Sequence, residues 1–148
     1  MNTQKIMFLL EDNKVLIENL EEIFREDGFV VKCFQSEKSF RDFIQLVTPS
    51  DHPSIIVLDI MMPLAELTLE NFELYADKLE PSKSAGLRIA KDIKLGKYPA
   101  IKGVPLVFYT ILNREDFKRE AANLGIRYFV KGEDPIDTLR RYILKLTE

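Results

Sequence analysis

The chain has 148 residues, 46% of them hydrophobic, which is the size of one ordinary globular domain. Its 21 basic and 24 acidic residues give a formal net charge of −3, which argues against nucleic-acid binding. One cysteine, Cys33, excludes an internal disulfide and indicates a reducing compartment, with the thiol in the core. Because we find neither a signal peptide nor an apolar stretch long enough to insert into a membrane, we predict one cytoplasmic domain, residues 1–148.

Five short apolar segments alternate along the chain with segments of helical periodicity. Three of the five are almost continuously apolar, which is typical of strands covered on both faces of a parallel sheet. The predicted strands are residues 5–10, 29–34, 54–59, 105–110 and 126–131.

Helix boundaries are marked by capping residues between these strands. The signals are Gly28 after the first helix, Ser36 capping the second, Gly96 after the third, Asn113 capping the fourth and Pro135 in the first turn of the fifth. Strict strand–helix alternation predicts an α/β fold with a doubly wound five-stranded parallel sheet and helices on both faces. In such a sheet the functional crevice lies at the carboxyl ends of the strands.

Residues 64–85 are too many for an ordinary loop between the third strand and the third helix. Leu69, Phe72, Ala76 and Leu79 recur at helical spacing, opposite a stripe of acidic residues. We therefore predict an extra helical insertion. It either packs on its own domain with the acidic side chains facing water, or it forms a lid or a docking element for a partner.

Charged and hydroxyl side chains lie at the carboxyl ends of four predicted strands: Glu11 and Asp12, Asp59, Thr110 and Lys131. Three carboxylates gathered at one edge of a sheet repel one another unless a cation neutralises them. Mg²⁺ prefers oxygen ligands of this kind, and lysine adds a second positive charge. Carboxylate, metal and lysine together are suited to phosphoryl transfer, in which aspartate can be the nucleophile. Each residue taken singly is equally consistent with a turn, a helix cap or a solvated strand end.

The ordered combination resembles a response-regulator receiver domain of two-component signalling. FLLEDN is similar to the family's first strand with its acidic pair, and VLDIMMP resembles the segment around its phosphoacceptor aspartate. A threonine ending the fourth strand and a lysine ending the fifth complete the pattern. The resemblance covers the chain apart from the insertion, and it implies a flavodoxin-like fold with strand order 2-1-3-4-5 in a stand-alone receiver.

The resemblance implies a phosphorylation site at Asp59, which would accept a phosphoryl group from a histidine kinase or a histidine phosphotransfer protein in a phosphorelay. Mg²⁺ would be bound by Asp12, Asp59 and the backbone carbonyl of Met61, with Glu11 nearby. Such a protein is not an enzyme in the usual sense. We expect self-catalysed phosphoryl transfer to Asp59 and slow autodephosphorylation.

The resemblance also implies a switch. Thr110 would hydrogen-bond the phosphoryl group, Lys131 would pair with it, and Tyr128 would rotate inward as Thr110 shifts. The fourth helix, fifth strand and fifth helix would then form a surface for a downstream protein, and a homodimer through this surface is a further expectation.

Two residues depart from the family pattern. Ile111 stands where a small residue is usual, and a branched side chain there would narrow access to the site. Gly132 replaces the usual proline after Lys131, so we expect no cis peptide bond there. Without that bond, the family pattern does not fix the position of Lys131. Together with the acidic insertion, Ile111 leaves a second hypothesis open, namely a phosphorylation-independent receiver-fold docking module.

Overall fold

The computed structural model describes residues 4–60 and 76–148. All five predicted strands are present and pair in parallel in the order β2-β1-β3-β4-β5, as predicted. Their bounds are β1 Lys5–Leu10, β2 Phe29–Phe34, β3 Ile55–Leu58, β4 Leu106–Thr110 and β5 Arg127–Val130. β3 and β5 are shorter than predicted, so Asp59 and Lys131 lie one residue beyond their strands.

Helices connect these strands within the described residues. They are α1 Lys14–Glu26, α2 Glu37–Ile44, α3 Ala85–Lys94, α4 Glu115–Asn123 and α5 Ile136–Leu146. Of the predicted insertion, residues 76–78 are helical and Pro81–Lys83 form a 3₁₀ turn. The part of the insertion before residue 76 lies outside the described residues. No helix in the two described ranges is long and apolar enough to cross a membrane.

The sheet has one apolar core on each face. α1 and α5 cover one face, where Leu20 and Phe24 of α1 and Leu139 of α5 pack against alternate residues of the strands. α2, α3 and α4 cover the other face, where Phe40, Ile89 and Phe117 are among the buried contacts. Burial on both faces explains why β1, β3 and β4 are almost wholly apolar.

The capping predictions were partly wrong. Ser36 caps α2 by accepting a hydrogen bond from the amide of Ser39. Asn113, however, does not cap α4: the helix begins later, with Arg114 at the N-cap position, and the Asn113 amide instead donates to Glu133 at 2.8 Å. Pro135 likewise precedes α5 as its N-cap residue and is not within its first turn. Asn113 does not cap α4 because its side chain bonds to Glu133, which lies outside the helix.

Arg41 joins α2 to α3 on the surface of the larger core. Its guanidinium donates to Glu37 at 2.8 Å, to Asp92 at 2.8 Å and to the Tyr98 hydroxyl at 2.7 Å. Arg41 and Asp92 are both less than a quarter exposed. Hydrogen bonds to charged groups in such partly buried positions stabilise a fold more than exposed ion pairs do.

Replacing Arg41 with methionine should therefore lower the free energy of unfolding by roughly 1–3 kcal/mol, because three acceptors lose a charged donor. Lys38→Met is the matched control, since Lys38 lies on the same helix and its ion pair with Asp42 is largely exposed. We expect that change to cost less than about 0.5 kcal/mol. Urea denaturation of both variants measures the difference, and equal losses would contradict this account.

Cys33 is half-buried on β2 against the smaller core, and its thiol donates to Glu21 at 3.2 Å. Burial, followed by the hydrogen bond and the negative charge of Glu21, raises the pKa of Cys33 to about 12. The thiol is thus protonated at neutral pH, which agrees with a structural cysteine and not a nucleophile.

Alkylation of Cys33 by iodoacetamide should be much slower at pH 8 than that of a free thiol, because only the thiolate reacts. Glu21→Gln removes the negative charge, lowers the pKa and should speed the reaction severalfold. Glu22→Gln, on the same helix, is the control. Mass spectrometry over time follows the reaction, and equal rates in the two variants would argue against a role for Glu21.

Candidate functional site

The predicted site residues lie side by side at the carboxyl edge of the sheet. Glu11 follows β1, Asp59 follows β3, Thr110 ends β4 and Lys131 follows β5, and these strands are consecutive neighbours in the sheet. Backbone bonds hold the ends in register: the Asp59 amide donates to the Leu10 carbonyl at 3.0 Å, and the Lys131 amide to the Thr110 carbonyl at 2.8 Å. The predicted convergence is confirmed for these side chains.

Lys131 links the carboxylates of Glu11 and Asp59. Its ammonium group reaches across β4, to Oε1 of Glu11 at 2.5 Å and to Oδ2 of Asp59 at 3.1 Å. The side chains of Glu11 and Asp59 are only 2% and 5% exposed, so the pairing takes place largely out of water. Buried carboxylates need such a partner, because an uncompensated buried charge costs several kcal/mol, in the range of about 3–5.

Burial is also the main influence on the titration of the site. It raises the pKa of Asp59 to about 7; Lys131 opposes this rise, Glu11 adds to it, and a hydrogen bond from Thr110 opposes it. For Asp12, burial and then the adjacent Glu11 charge raise the pKa. Burial lowers the pKa of Lys131, but Asp59 and Glu11 outweigh that effect and raise it. Burial therefore outweighs the effect of Lys131 on Asp59, and by formal charge one ammonium faces three carboxylates.

The residual negative charge fits a divalent cation. Carboxylate oxygens of Glu11, Asp12 and Asp59 lie within 4.8 Å of one another. The donor set is all oxygen, as hard cations such as Mg²⁺ require. Glu11 is already engaged, with Oε1 bound to Lys131 and Oε2 accepting from the Asn13 amide at 3.1 Å. Asp59 is engaged as well, through Oδ2 to Lys131 at 3.1 Å, so these contacts do not rank the three carboxylates, and direct ligation by Asp12 and Asp59 stays a prediction. Met61, whose carbonyl was the remaining predicted ligand, lies outside the described residues.

A tight turn fixes Lys131 where the resemblance led us to expect a proline. Gly132 has φ +84°, a left-handed conformation that glycine adopts without strain. The carboxylate of Asp134 accepts from the Val130 amide at 2.7 Å, while its own amide donates to the Val130 carbonyl at 2.9 Å. No peptide bond in the described ranges is cis, as expected. Glycine and aspartate therefore hold the lysine in place of proline.

Thr110 and Tyr128 are joined through one residue, Leu112. The fully buried Thr110 hydroxyl accepts from the Leu112 amide at 3.4 Å, and the Tyr128 hydroxyl donates to the Leu112 carbonyl at 2.6 Å. The Tyr128 ring is part-buried and packs against Phe108, with ring centroids 6.2 Å apart. The predicted switch pair thus shares a hydrogen-bonded loop. Ile111, between them, is 49% exposed, so its effect on access stays a prediction.

Gly86 is a site residue that the sequence reasoning missed. A Cβ atom at this position would lie 2.1 Å from the carbonyl oxygen of Asp59 and 2.7 Å from the Cα of Ile60. Its amide also donates to the Ile60 carbonyl at 3.3 Å. α3 therefore begins directly against the backbone that carries Asp59. The signal available in the sequence was a glycine at the start of a helical segment, where glycine has low helix propensity and therefore needs another reason to be there.

Gly86→Ala should destabilise the protein by about 1 kcal/mol or more, because the clash outweighs the improvement in helix propensity of about 1 kcal/mol. Lys94→Ala is the control, since Lys94 is exposed on the same helix and should change stability by less than about 0.5 kcal/mol. Chemical denaturation measures both. Stabilisation of the Gly86 variant would show that the contact with the Asp59 backbone relaxes freely.

Comparison with known proteins shows the fold. No protein-family model matches the chain, and no curated protein does either. Solved structures match over nearly the whole chain. The signal receiver domain of a two-component signal-transduction histidine kinase from Clostridium thermocellum superposes with a TM-score of 0.72 and 14% identity, covering 97% of this chain and 98% of that one.

Two of the matching structures contain a metal. The Mn²⁺-bound form of response regulator Rcp1 is 20% identical, with a TM-score of 0.65, and the match covers 96% of this chain and 91% of that one. The receiver domain of sensor histidine kinase PA1611 from Pseudomonas aeruginosa, with magnesium coordinated in its active-site cleft, is 15% identical, with a TM-score of 0.65 and 98% of both chains covered. The predicted flavodoxin-like receiver fold is confirmed.

Proposed function

We propose that this chain, which has the receiver fold, is a response regulator of a two-component or phosphorelay system that is phosphorylated on Asp59. The observation that carries the proposal is the contact of one lysine with two buried carboxylates, beside a third carboxylate and a buried threonine. Each residue alone has a structural explanation. Their assembly at four adjacent strand ends has the groups that phosphoryl transfer needs.

In this proposal Asp59 is the nucleophile. An Asp59 carboxylate oxygen forms a bond to phosphorus as the bond from phosphorus to the histidine nitrogen of the donor breaks, and the histidine keeps that electron pair. Lys131 is close enough to pair with the incoming phosphoryl oxygens, and the Thr110 hydroxyl also hydrogen-bonds the Asp59 carboxylate. Autodephosphorylation is the corresponding attack of water on phosphorus, which returns the Asp59 carboxylate and inorganic phosphate.

A divalent cation, Mg²⁺ in our proposal, would be held by Asp12 and Asp59 and would supply neutralising charge for the phosphoryl oxygens. The carboxylates perform two functions of their own. Asp12 and Asp59 would provide ligand oxygens, and Glu11 keeps Lys131 beside Asp59 through its ion pair. The partner would be a histidine kinase or a histidine phosphotransfer protein. The downstream protein and a homodimer remain predictions.

Incubation with Mg²⁺ and acetyl phosphate should add one phosphoryl group to the protein, read by intact mass. Asp59→Asn should abolish the gain, because an amide is not a nucleophile. Asp42→Asn, which alters an exposed aspartate on α2, should label like the parent. Lys131→Met should reduce the labelling rate by about tenfold or more, since a charge-assisted contact to the phosphoryl group is lost. Labelling of Asp59→Asn would contradict the assignment.

A docking module that works without phosphorylation is the second candidate, favoured by the bulk of Ile111 next to Thr110. If acetyl phosphate does not phosphorylate the parent protein, Ile111→Ala distinguishes the phosphorylated response regulator from the docking module. Labelling restored by this change would mean that Ile111 occludes a competent site. No labelling in either protein would favour the docking module, whose partner binding should then be indifferent to Asp59→Ala.

A further inference from the structure

Arg114 connects the end of the insertion to the site. It precedes α4, and its Nη1 donates to the backbone carbonyls of Ala76 and Leu79, each at 2.7 Å. Its Nη2 donates to Asp116 at 2.6 Å, and the guanidinium lies over the Phe117 ring, 4.8 Å from the centroid. Two main-chain carbonyls of the insertion are thus bound by the side chain of the residue that precedes α4. We call residues 76–84 the strap.

Packing makes the strap part of the larger core. Leu79 is 8% exposed and belongs to the cluster that contains Phe108 and Phe117. The strap then forms the 3₁₀ turn Pro81–Lys83 and ends at the buried Ser84, whose hydroxyl donates to the Pro81 carbonyl at 2.9 Å. Detaching the strap would expose Leu79 and remove two acceptors from Arg114. The charge-assisted bonds and the buried leucine hold it in place together.

The loop that carries Arg114 is tied to the phosphorylation site at its other end. Thr110 bonds to Asp59 and accepts from the Leu112 amide, and the Leu112 carbonyl accepts from Tyr128. The Leu112 side chain is 3% exposed in the same core as Leu79. Residues 110–114 therefore lie between two anchors, Asp59 on one side and the strap on the other. Thr110 and Leu112 are the buried members of this short loop, and packed side chains transmit displacement because packed interiors resist local deformation.

We propose that the Arg114 clamp couples the strap to the Thr110 loop, so that the attached strap holds Thr110 in the arrangement described here. The regulatory consequence rests on the proposed function: a phosphoryl group on Asp59 that displaces Thr110 from its present hydrogen bonds must work against the clamp. Linkage makes the effect reciprocal, so that displacement of Thr110 weakens the attachment of the strap. The strap thereby restrains the change that phosphorylation would favour.

Hydrogen exchange without any phosphodonor tests the coupling itself. Arg114→Met should raise amide exchange by about tenfold in the strap, as loss of a charged hydrogen-bond donor implies, and also in residues 110–113. Arg88→Met is the control, because Arg88 is exposed on α3 and its side chain bonds only to Glu37 among the described residues, while the backbone bond to Ser84 is kept in the variant. An increase confined to the strap would overturn the proposal.

Tyr128→Phe examines the coupling from the other end and removes only one hydroxyl. The change removes a hydrogen bond from the Leu112 carbonyl. Coupling requires that exchange in the strap rise as well, although Tyr128 bonds to Leu112 and not to the strap in the part of the chain that the structure describes. Strap exchange that stays at the parent rate would overturn the proposal. Tyr128→Phe also tests the coupling if Arg114→Met does not fold. Arg114→Lys keeps the positive charge and should therefore raise exchange in the strap less than Arg114→Met does.

Labelling kinetics test the regulatory consequence. If the clamp restrains Thr110, Arg114→Met should be labelled on Asp59 by acetyl phosphate severalfold faster than the parent, with Arg88→Met unchanged. An equal or slower rate would overturn the restraint. A parent protein that takes up no phosphoryl group would overturn the proposed function, and the exchange experiment alone would then decide the coupling.

Discussion

The ion pair of Lys131 with Glu11 and Asp59 is the interaction on which the site depends. Both carboxylates are almost fully buried and follow apolar strands, where an isolated charge would be strongly unfavourable. The ammonium group comes from β5, two strands away from Asp59 across the sheet. Only the parallel arrangement with this strand order brings the three groups to one edge. Fold and site are therefore two consequences of the same topology.

The same crowding is electrostatically unfavourable. Burial raises the pKa of Asp12 and Asp59, the charge of Glu11 adds to the rise, and Lys131 offsets only part of it. A core optimised only for stability would not hold such a group of acidic residues. Stability is supplied elsewhere: by two apolar cores, by Arg41 between α2 and α3, and by the turn of Gly132 and Asp134 that fixes the lysine.

Backbone contacts surround Asp59 and restrict how the site can move. Gly86 brings α3 against its carbonyl oxygen, while Thr110 and Leu112 lead away from its side chain toward Tyr128 and Arg114. The first contact leaves no room for a larger residue at position 86. The second is a chain of hydrogen bonds that joins the Asp59 side chain to β5 and to the start of α4.

The sequence by itself determined the alternation of strands and helices, the two-sided burial of the sheet and the polar residues at the strand ends, because periodicity and local chemistry carry that information. It did not determine which hydrogen-bond partner a residue takes. Asn113 binds Glu133 and leaves α4 uncapped, and Arg114 binds carbonyls more than 30 residues earlier in the chain. The close approach of Gly86 to Asp59 also joins distant residues. Only the tertiary structure decides such contacts, because they depend on which segments the sheet topology places side by side.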